Sequence, residues 1–96
     1  MIITEATAVM KNGRLAPFQL GIWSDEHIRG MQEISSVVKA SGALSLLQIH
    51  HAGLVTKENV SETALGPSHD EKNPKSRALT IPEIMEIRDA FIEGVI

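Results

Sequence analysis

The chain contains no cysteine and no tyrosine, and only three aromatic residues, Trp23, Phe18 and Phe91, among its 96 residues. Without cysteine there is no disulfide framework, no thiolate metal ligand and no thiol nucleophile. Without tyrosine there is no phenolic proton donor. Charge of one sign is not concentrated anywhere: nine Lys+Arg stand against twelve Asp+Glu, a formal charge of -3. That balance lacks the basic footprint a nucleic-acid backbone or an anionic membrane requires. No apolar run approaches the ~18 residues of a membrane span, and Met1-Ile2-Ile3-Thr4-Glu5 lacks the basic and apolar regions of a secretory leader. The expectation is a soluble, cytoplasmic chain with neither nucleic acid nor membrane as partner. What remains, 43% hydrophobic and 22% charged residues, fits a single unit, residues 1–96. Its stability margin is thin, because a chain this short hides only ~60 to 65% of its unfolded surface.

The pattern of residues predicts four elements. Met1 to Val9 is rich in isoleucine, threonine, valine and alanine and is closed by Lys11-Asn12-Gly13, which reads as a strand followed by a turn. Residues 10–23, with Gly13, Pro17 and Gly21, form a long loop. Ser24 is a good N-cap, Asp25 and Glu26 put negative charge at the positive end of a helix dipole, and Ile28, Met31, Ile34, Val37 and Val38 recur at helical spacing. Gly42 is the natural stop. Ala43 to Ile49 is a short apolar run and reads as a second buried strand. Residues 50–79 show no period and predict a very long loop. Thr80-Ile81-Pro82-Glu83 is a capping box, after which Ile84, Ile87, Phe91 and Val95 form an apolar stripe. No stop signal precedes Ile96, so the sequence ends in mid-helix.

Strands joined through a helix are expected to be parallel with a right-handed crossover, which makes this a βαβα piece of an α/β fold. Both connections leaving the strands are long and the one entering the second strand is short. In parallel α/β folds and (β/α)8 barrels the loops after the strands build the active face. Function is therefore expected after Val9 and after Ile49. Two strands alone leave both sheet edges open and part of the apolar helix faces uncovered. The exposed edges predict self-association, or completion by further strands.

The most chemical stretch is Gln48-Ile49-His50-His51-Ala52-Gly53. Adjacent histidines on a strand point to opposite faces, and period two places His50 with Gln48. With no cysteine, no second ligand pair and scattered acids, His50, His51 and His69 read as hydrogen-bonded imidazoles and no metal ligand is assigned. A buried primary amide at Gln48 offers both a donor and an acceptor to a heteroaromatic ring edge, although such amides more often satisfy nearby backbone. Glu5, inside an apolar strand, reads as a shifted base or as one half of an ion pair. No glycine-rich phosphate loop is present, and Ser24, Ser41 and Ser68 lack the context of a nucleophile elbow.

Taken together, Ile2-Ile3-Thr4-Glu5-Ala6-Thr7-Ala8-Val9, Gly13-Arg14, Leu20-Gly21-Ile22-Trp23-Ser24-Asp25-Glu26-His27 and Gln48-Ile49-His50-His51-Ala52-Gly53 resemble the Old Yellow Enzyme family of NADH:flavin oxidoreductases. Gly66-Pro67-Ser68 and Leu79-Thr80 look like the continuation. The resemblance implies a segment of a TIM (β/α)8 barrel, about its second and third strands with their helices, and FMN as cofactor with NAD(P)H as reductant. It implies that Ala6 lies against the flavin and that Gln48 bonds the polar edge of its pyrimidine ring. The family's chemistry takes hydride from NAD(P)H through FMN to an activated alkene, a small unsaturated carbonyl compound. The proton-donating tyrosine and the substrate-anchoring histidine pair lie on later strands, so no catalytic residue is assigned to this chain. Leu54 stands where the family has an arginine after His-Ala-Gly. The expectation is a segment inactive alone, and the alternative is a non-catalytic relic or a small partner-binding protein.

Overall fold

The computed structural model describes residues 1–57, 59–61 and 63–95. Ile96, on which the expected helix end without a stop signal falls, lies outside the described residues, as do positions 58 and 62 of the expected long loop.

Strand β1 (Ile2–Ala8) pairs in parallel with β2 (Ser45–His50), and helix α1 (Ile28–Ala40) connects them. The expected parallel pairing is present. A 310 turn, Asp25–His27, precedes α1, and the Ser24 hydroxyl caps it by accepting the Glu26 amide at 3.3 Å. The helix thus starts a turn later than the N-cap suggests. It stops as expected: Gly42 has φ of 84°, a conformation that costs residues with a Cβ, and its amide bonds the Lys39 carbonyl at 2.9 Å. Met31 and Ile34 meet Thr4 and Leu47 across a gap of about 180 Å³ between α1 and the sheet. Val38 is buried, whereas Val37, expected on the same stripe, is 73% exposed.

The long connection after β2 is more structured than its lack of period suggests. It holds a 310 turn, Gly53–Val55, and two short strands, β3 (Ala64–Gly66) and β4 (Ser76–Ala78), paired in parallel. Parallel strands usually need a crossover of a dozen or more residues. Residues 67–75 manage with fewer because the buried Ser76 hydroxyl gathers the turn: it accepts the Asp70 amide at 2.8 Å and donates to the Asn73 carbonyl at 2.7 Å. The His69 Nδ1–H donates to the Ser76 carbonyl at 2.9 Å, which fixes that ring's tautomer because a carbonyl can only accept.

Helix α2 (Ile81–Val95) begins with the expected capping box: Thr80 Oγ1 accepts the Glu83 amide at 3.3 Å, and Glu83 accepts the Thr80 amide at 2.9 Å. Arg77, on β4, clamps the same carboxylate with two bonds of 2.8 and 2.7 Å. The expected stripe is rotated. Ile87, Phe91 and Gly94 are half-buried while Ile84 and Val95 are exposed. The cause is Gly94, where a Cβ would stand 3.3 Å from Val9 and 3.5 Å from Ile22, so the helix seats on its smallest residue. Between α1 and α2 a cleft of about 650 Å³ remains, lined by Trp23, Ile28, Met31 and Gly94 among others.

The whole is drawn out, 47 × 23 × 22 Å with a radius of gyration of 14.9 Å, where a compact chain of this length reaches about 12 to 13 Å. The buried apolar residues among those described are Ala8, Val9, Val38 and Ala64. On the sheet face opposite α1, the partners Ile3 and Leu46 are 55% and 42% exposed. One expectation needs correcting here: the outer edge of β1 is not open along its full length. Leu20 to Ile22 lies beside it, with the Ala8 amide bonding the Leu20 carbonyl and the Ile22 amide bonding the Ala8 carbonyl, both at 2.8 Å. Among the described residues no helix is long and apolar enough to cross a membrane.

Candidate functional site

The register of β1 against β2 slips in one place. Thr4 faces Leu47 and Thr7 faces Ile49, so Glu5 and Ala6 together stand opposite Gln48. This is a β-bulge, a device that re-aims side chains and recurs next to active sites. A bulge disrupts the ladder locally, and here side chains take up the carbonyls of both bulged residues. Thr7 Oγ1 donates to the Glu5 carbonyl at 2.9 Å, and Gln19 Nε2 donates to the Ala6 carbonyl at 2.8 Å. Thr7 is itself fully buried. Ala6 is half-buried, and Gln48 is exposed rather than buried as the apolar run around it suggests. Among the described residues nothing bonds the Gln48 carboxamide, so its donors and acceptor are on offer.

The loops beyond the strand ends close around this bulge. Gln19 Nε2 also lies 2.6 Å from His50 Nε2, and its Oε1 accepts the Leu15 amide at 2.6 Å. Arg14 bonds the carbonyls of Lys11 and Pro17 at 2.8 and 2.6 Å and sets its guanidinium 5.4 Å from the Trp23 ring centroid, a cation–π contact. His27 meets the same indole edge-on at 4.5 Å. Gly21 is required where it stands, because a Cβ there would enter the Trp23 ring. The Gly-Ile-Trp-Ser run is thus a packing unit: glycine lets the indole fold back while the segment runs beside β1.

His51, one residue past the end of β2, packs elsewhere, against Gly13. Its Nδ1 accepts the Gly53 amide at 3.0 Å, so the ring proton sits on Nε2, which is buried without a partner and packs where a Cβ at Gly13 would lie 2.8 Å away. Burial, followed by the neighbouring His50, lowers its pKa below the ordinary 6.5. The Ala52 amide completes the junction by bonding the Gly13 carbonyl at 2.7 Å. His69 lies in the β3–β4 turn, and no group of three or more metal-ligating side chains converges among the described residues.

Two parallel strands whose following loops interlock over a bulge are the local architecture of an α/β active face, and comparison with known proteins identifies which one. The profile of the NADH:flavin oxidoreductase / NADH oxidase family matches residues 1–95. The chain belongs to this family. It is 41% identical to an NADPH dehydrogenase of Geobacillus sp. (strain WCH70), over 98% of this chain and 28% of that protein. An NADPH dehydrogenase of Clostridium acetobutylicum is 38% identical, over 94% of the chain and 27% of its own length. Among solved structures, the old yellow enzyme homologue from Zymomonas mobilis superposes with a TM-score of 0.83 at 28% identity, and morphinone reductase with 0.84 at 25%. In both cases 96% of this chain and 30% of the other is covered. The chain therefore spans less than a third of the relatives it matches. These neighbours are Old Yellow Enzyme barrels, and the chain is an α/β segment of that architecture without a closed barrel. FMN is the cofactor of the Old Yellow Enzyme family and NAD(P)H its reductant.

Within this Old Yellow Enzyme segment, the two residues expected to meet the flavin face each other across the bulge. Leu54, which follows His-Ala-Gly, packs its branched end into the space a Cβ at Gly66 would need and makes an apolar contact there. Glu5 is exposed and makes no ion pair among the described residues. Two residues of the site had no assignment from the sequence. Gln19 lies in a loop without period, and its only advance sign is a lone polar amide between Phe18 and Leu20. Thr7 reads as an ordinary strand residue, since a bulge leaves no mark in composition.

Proposed function

We propose that this chain supplies part of the flavin-facing wall of an FMN-dependent NAD(P)H oxidoreductase barrel, corresponding to its second and third strands within one unit, residues 1–96. The single observation that carries the reading is the bulge, which sets Ala6 opposite an exposed, unpartnered Gln48 at the C-terminal half of a parallel strand pair. The donor set suits the group. A carboxamide pairs with a ring edge that carries both donors and acceptors, and alanine lets a flat ring come close to backbone. In this role Gln48 orients the ring edge, Ala6 leaves room for the ring face, and the interlocked loops 10–23 and 51–57 hold both strand ends in place. FMN, when bound, carries hydride from the nicotinamide to an activated alkene, the small unsaturated carbonyl class. The chain offers no tyrosine and no paired substrate-anchoring histidines, so the segment is inactive by itself.

Phosphate sites in such barrels follow the last strands, which makes the isolated chain a poor flavin binder. The test is a flavin fluorescence titration of the chain, followed by an NADPH-consumption assay with an activated alkene. The reading expects neither binding nor turnover in the segment. In a complete barrel carrying it, Gln48→Leu is expected to cost ~1 to 3 kcal/mol of FMN binding by leaving ring groups unpaired. An unchanged affinity and flavin potential in that variant overturns the reading. A second reading, a non-catalytic chain that associates with copies of itself, draws on the exposed pair Ile3 and Leu46. Sedimentation decides it, since a concentration-dependent dimer without flavin favours that alternative.

A further inference from the structure

The Gln19 carboxamide has three partners, and two of them are backbone groups whose roles are not negotiable. The Ala6 carbonyl can only accept, and the Leu15 amide can only donate. The atom 2.8 Å from the Ala6 carbonyl must therefore be the NH2 group, and the atom 2.6 Å from the Leu15 amide must be the oxygen. Flipping the amide would set oxygen against oxygen and N–H against N–H. With the orientation fixed in this way, the second N–H of Gln19 meets His50 Nε2 at 2.6 Å, and that ring nitrogen has to be the acceptor. The proton of the neutral imidazole is thereby confined to Nδ1. No other described residue bonds His50 Nδ1, and it is not among the buried unpartnered atoms, so this N–H is open to a ligand.

We infer that Gln19 is a positioning residue that locks His50 in its neutral Nδ1–H tautomer, presenting a hydrogen-bond donor at the C-terminal end of β2 on the Gln48 side of the sheet. A free histidine side chain prefers the opposite tautomer, so the lock changes what the strand end offers. The tautomer itself follows from geometry within this chain alone. Its use, donating to an acceptor oxygen or nitrogen of a ligand held against Gln48, rests on the proposed function.

Histidine-selective 15N labelling tests the lock. Long-range 1H–15N correlation spectra recorded at about pH 8, where imidazoles are neutral, distinguish a protonated Nδ1 from a protonated Nε2, and a His50→Phe variant assigns the signal. The expected result is a single Nδ1–H form at His50. A dominant Nε2–H form, or a rapidly exchanging mixture, overturns the inference. Gln19→Leu is expected to return His50 to mainly Nε2–H. Gln19→Glu, which can accept but not donate, is expected to draw the proton to Nε2 outright. Retention of the Nδ1–H form in both variants shows that Gln19 does not set it and likewise overturns the inference. Flavin titration of the complete barrel reads the other claim separately: loss of FMN binding there leaves the tautomer result standing, and a wrong tautomer leaves the FMN result standing.

Discussion

Of the two side chains that hold the bulge setting Ala6 against Gln48, Thr7 does so through one hydroxyl, which Thr7→Val removes with almost no change of shape. Thr7 is completely buried, and its Oγ1 donates at 2.9 Å to the carbonyl of Glu5, in the part of β1 where the ladder is broken. Valine fills the same space and is at least as good a strand former, so any loss belongs to the hydrogen bond. A net loss of about 0.5 to 1.5 kcal/mol is expected. The lower half of that range applies if water reaches the freed carbonyl beside the exposed Glu5 side chain. For a chain of this size each 1 kcal/mol lowers Tm by roughly 4 to 8 °C, and it speeds exchange through opening of the bulge by about fivefold. Urea unfolding followed by circular dichroism gives the first number, and hydrogen exchange at the Ala6 and Gln48 amides gives the second. Thr7→Ser is the control: it keeps the hydroxyl and sheds a methyl, so its cost of ~0.8 kcal/mol should appear without selective exchange at the bulge. A Thr7→Val variant with an undiminished urea midpoint and unchanged exchange at those two amides would refute the reasoning.

Three further outcomes follow from contacts already described. Gly13→Ala drives a methyl group to within 2.8 Å of His51 Nε2, an overpacking expected to cost ~1 to 3 kcal/mol in denaturant unfolding; a neutral substitution shows the ring is free to move. The His51 imidazole should titrate below 6.5. Because the unfolded chain then binds the proton more readily, stability is full above that value and falls as the pH drops through it; an NMR midpoint at or above 6.5 contradicts the packing. Glu83, held down to about 2 by the Arg77 guanidinium and the Thr80 amide, stabilises the start of α2 above its ordinary value of 4.5 and loses that contribution as pH falls toward 2. Amide exchange in the first turn of α2 between pH 5 and 2 follows this loss, and Arg77→Met should make the loss smaller and complete it at a higher pH.

The parts of the fold legible in the sequence are those written in local chemistry. Ser24, Gly42 and the Thr80 to Glu83 box each make the bond their residue type offers, and the parallel pair follows from element order. The apolar stripe of α2 is legible only in part, because spacing alone cannot tell which side seats on a neighbour; the close approach of Gly94 to Val9 and Ile22 decides that, and a glycine adds nothing to a hydrophobic pattern. β3 and β4 escape notice for another reason. Each is three residues long, and what joins them is one buried serine that accepts the Asp70 amide and donates to the Asn73 carbonyl, not a period. At the candidate site, Gln48 stood out as a polar residue within an apolar run, but its position opposite two residues of β1 depends on register, which only pairing reveals.

The seat of Gly94 on Val9 also has a kinetic meaning. These residues stand at nearly opposite ends of the described chain, whereas the helix caps and the Ser76 turn join residues a few positions apart. Local contacts cost little loop entropy and form early, and a contact spanning almost the whole chain must wait until the segments between are already ordered. Docking of α2 against the end of β1 is accordingly the late step of folding. A larger side chain at position 94 should mainly speed unfolding and leave the refolding rate near its original value, because it weakens a contact not yet made at the barrier.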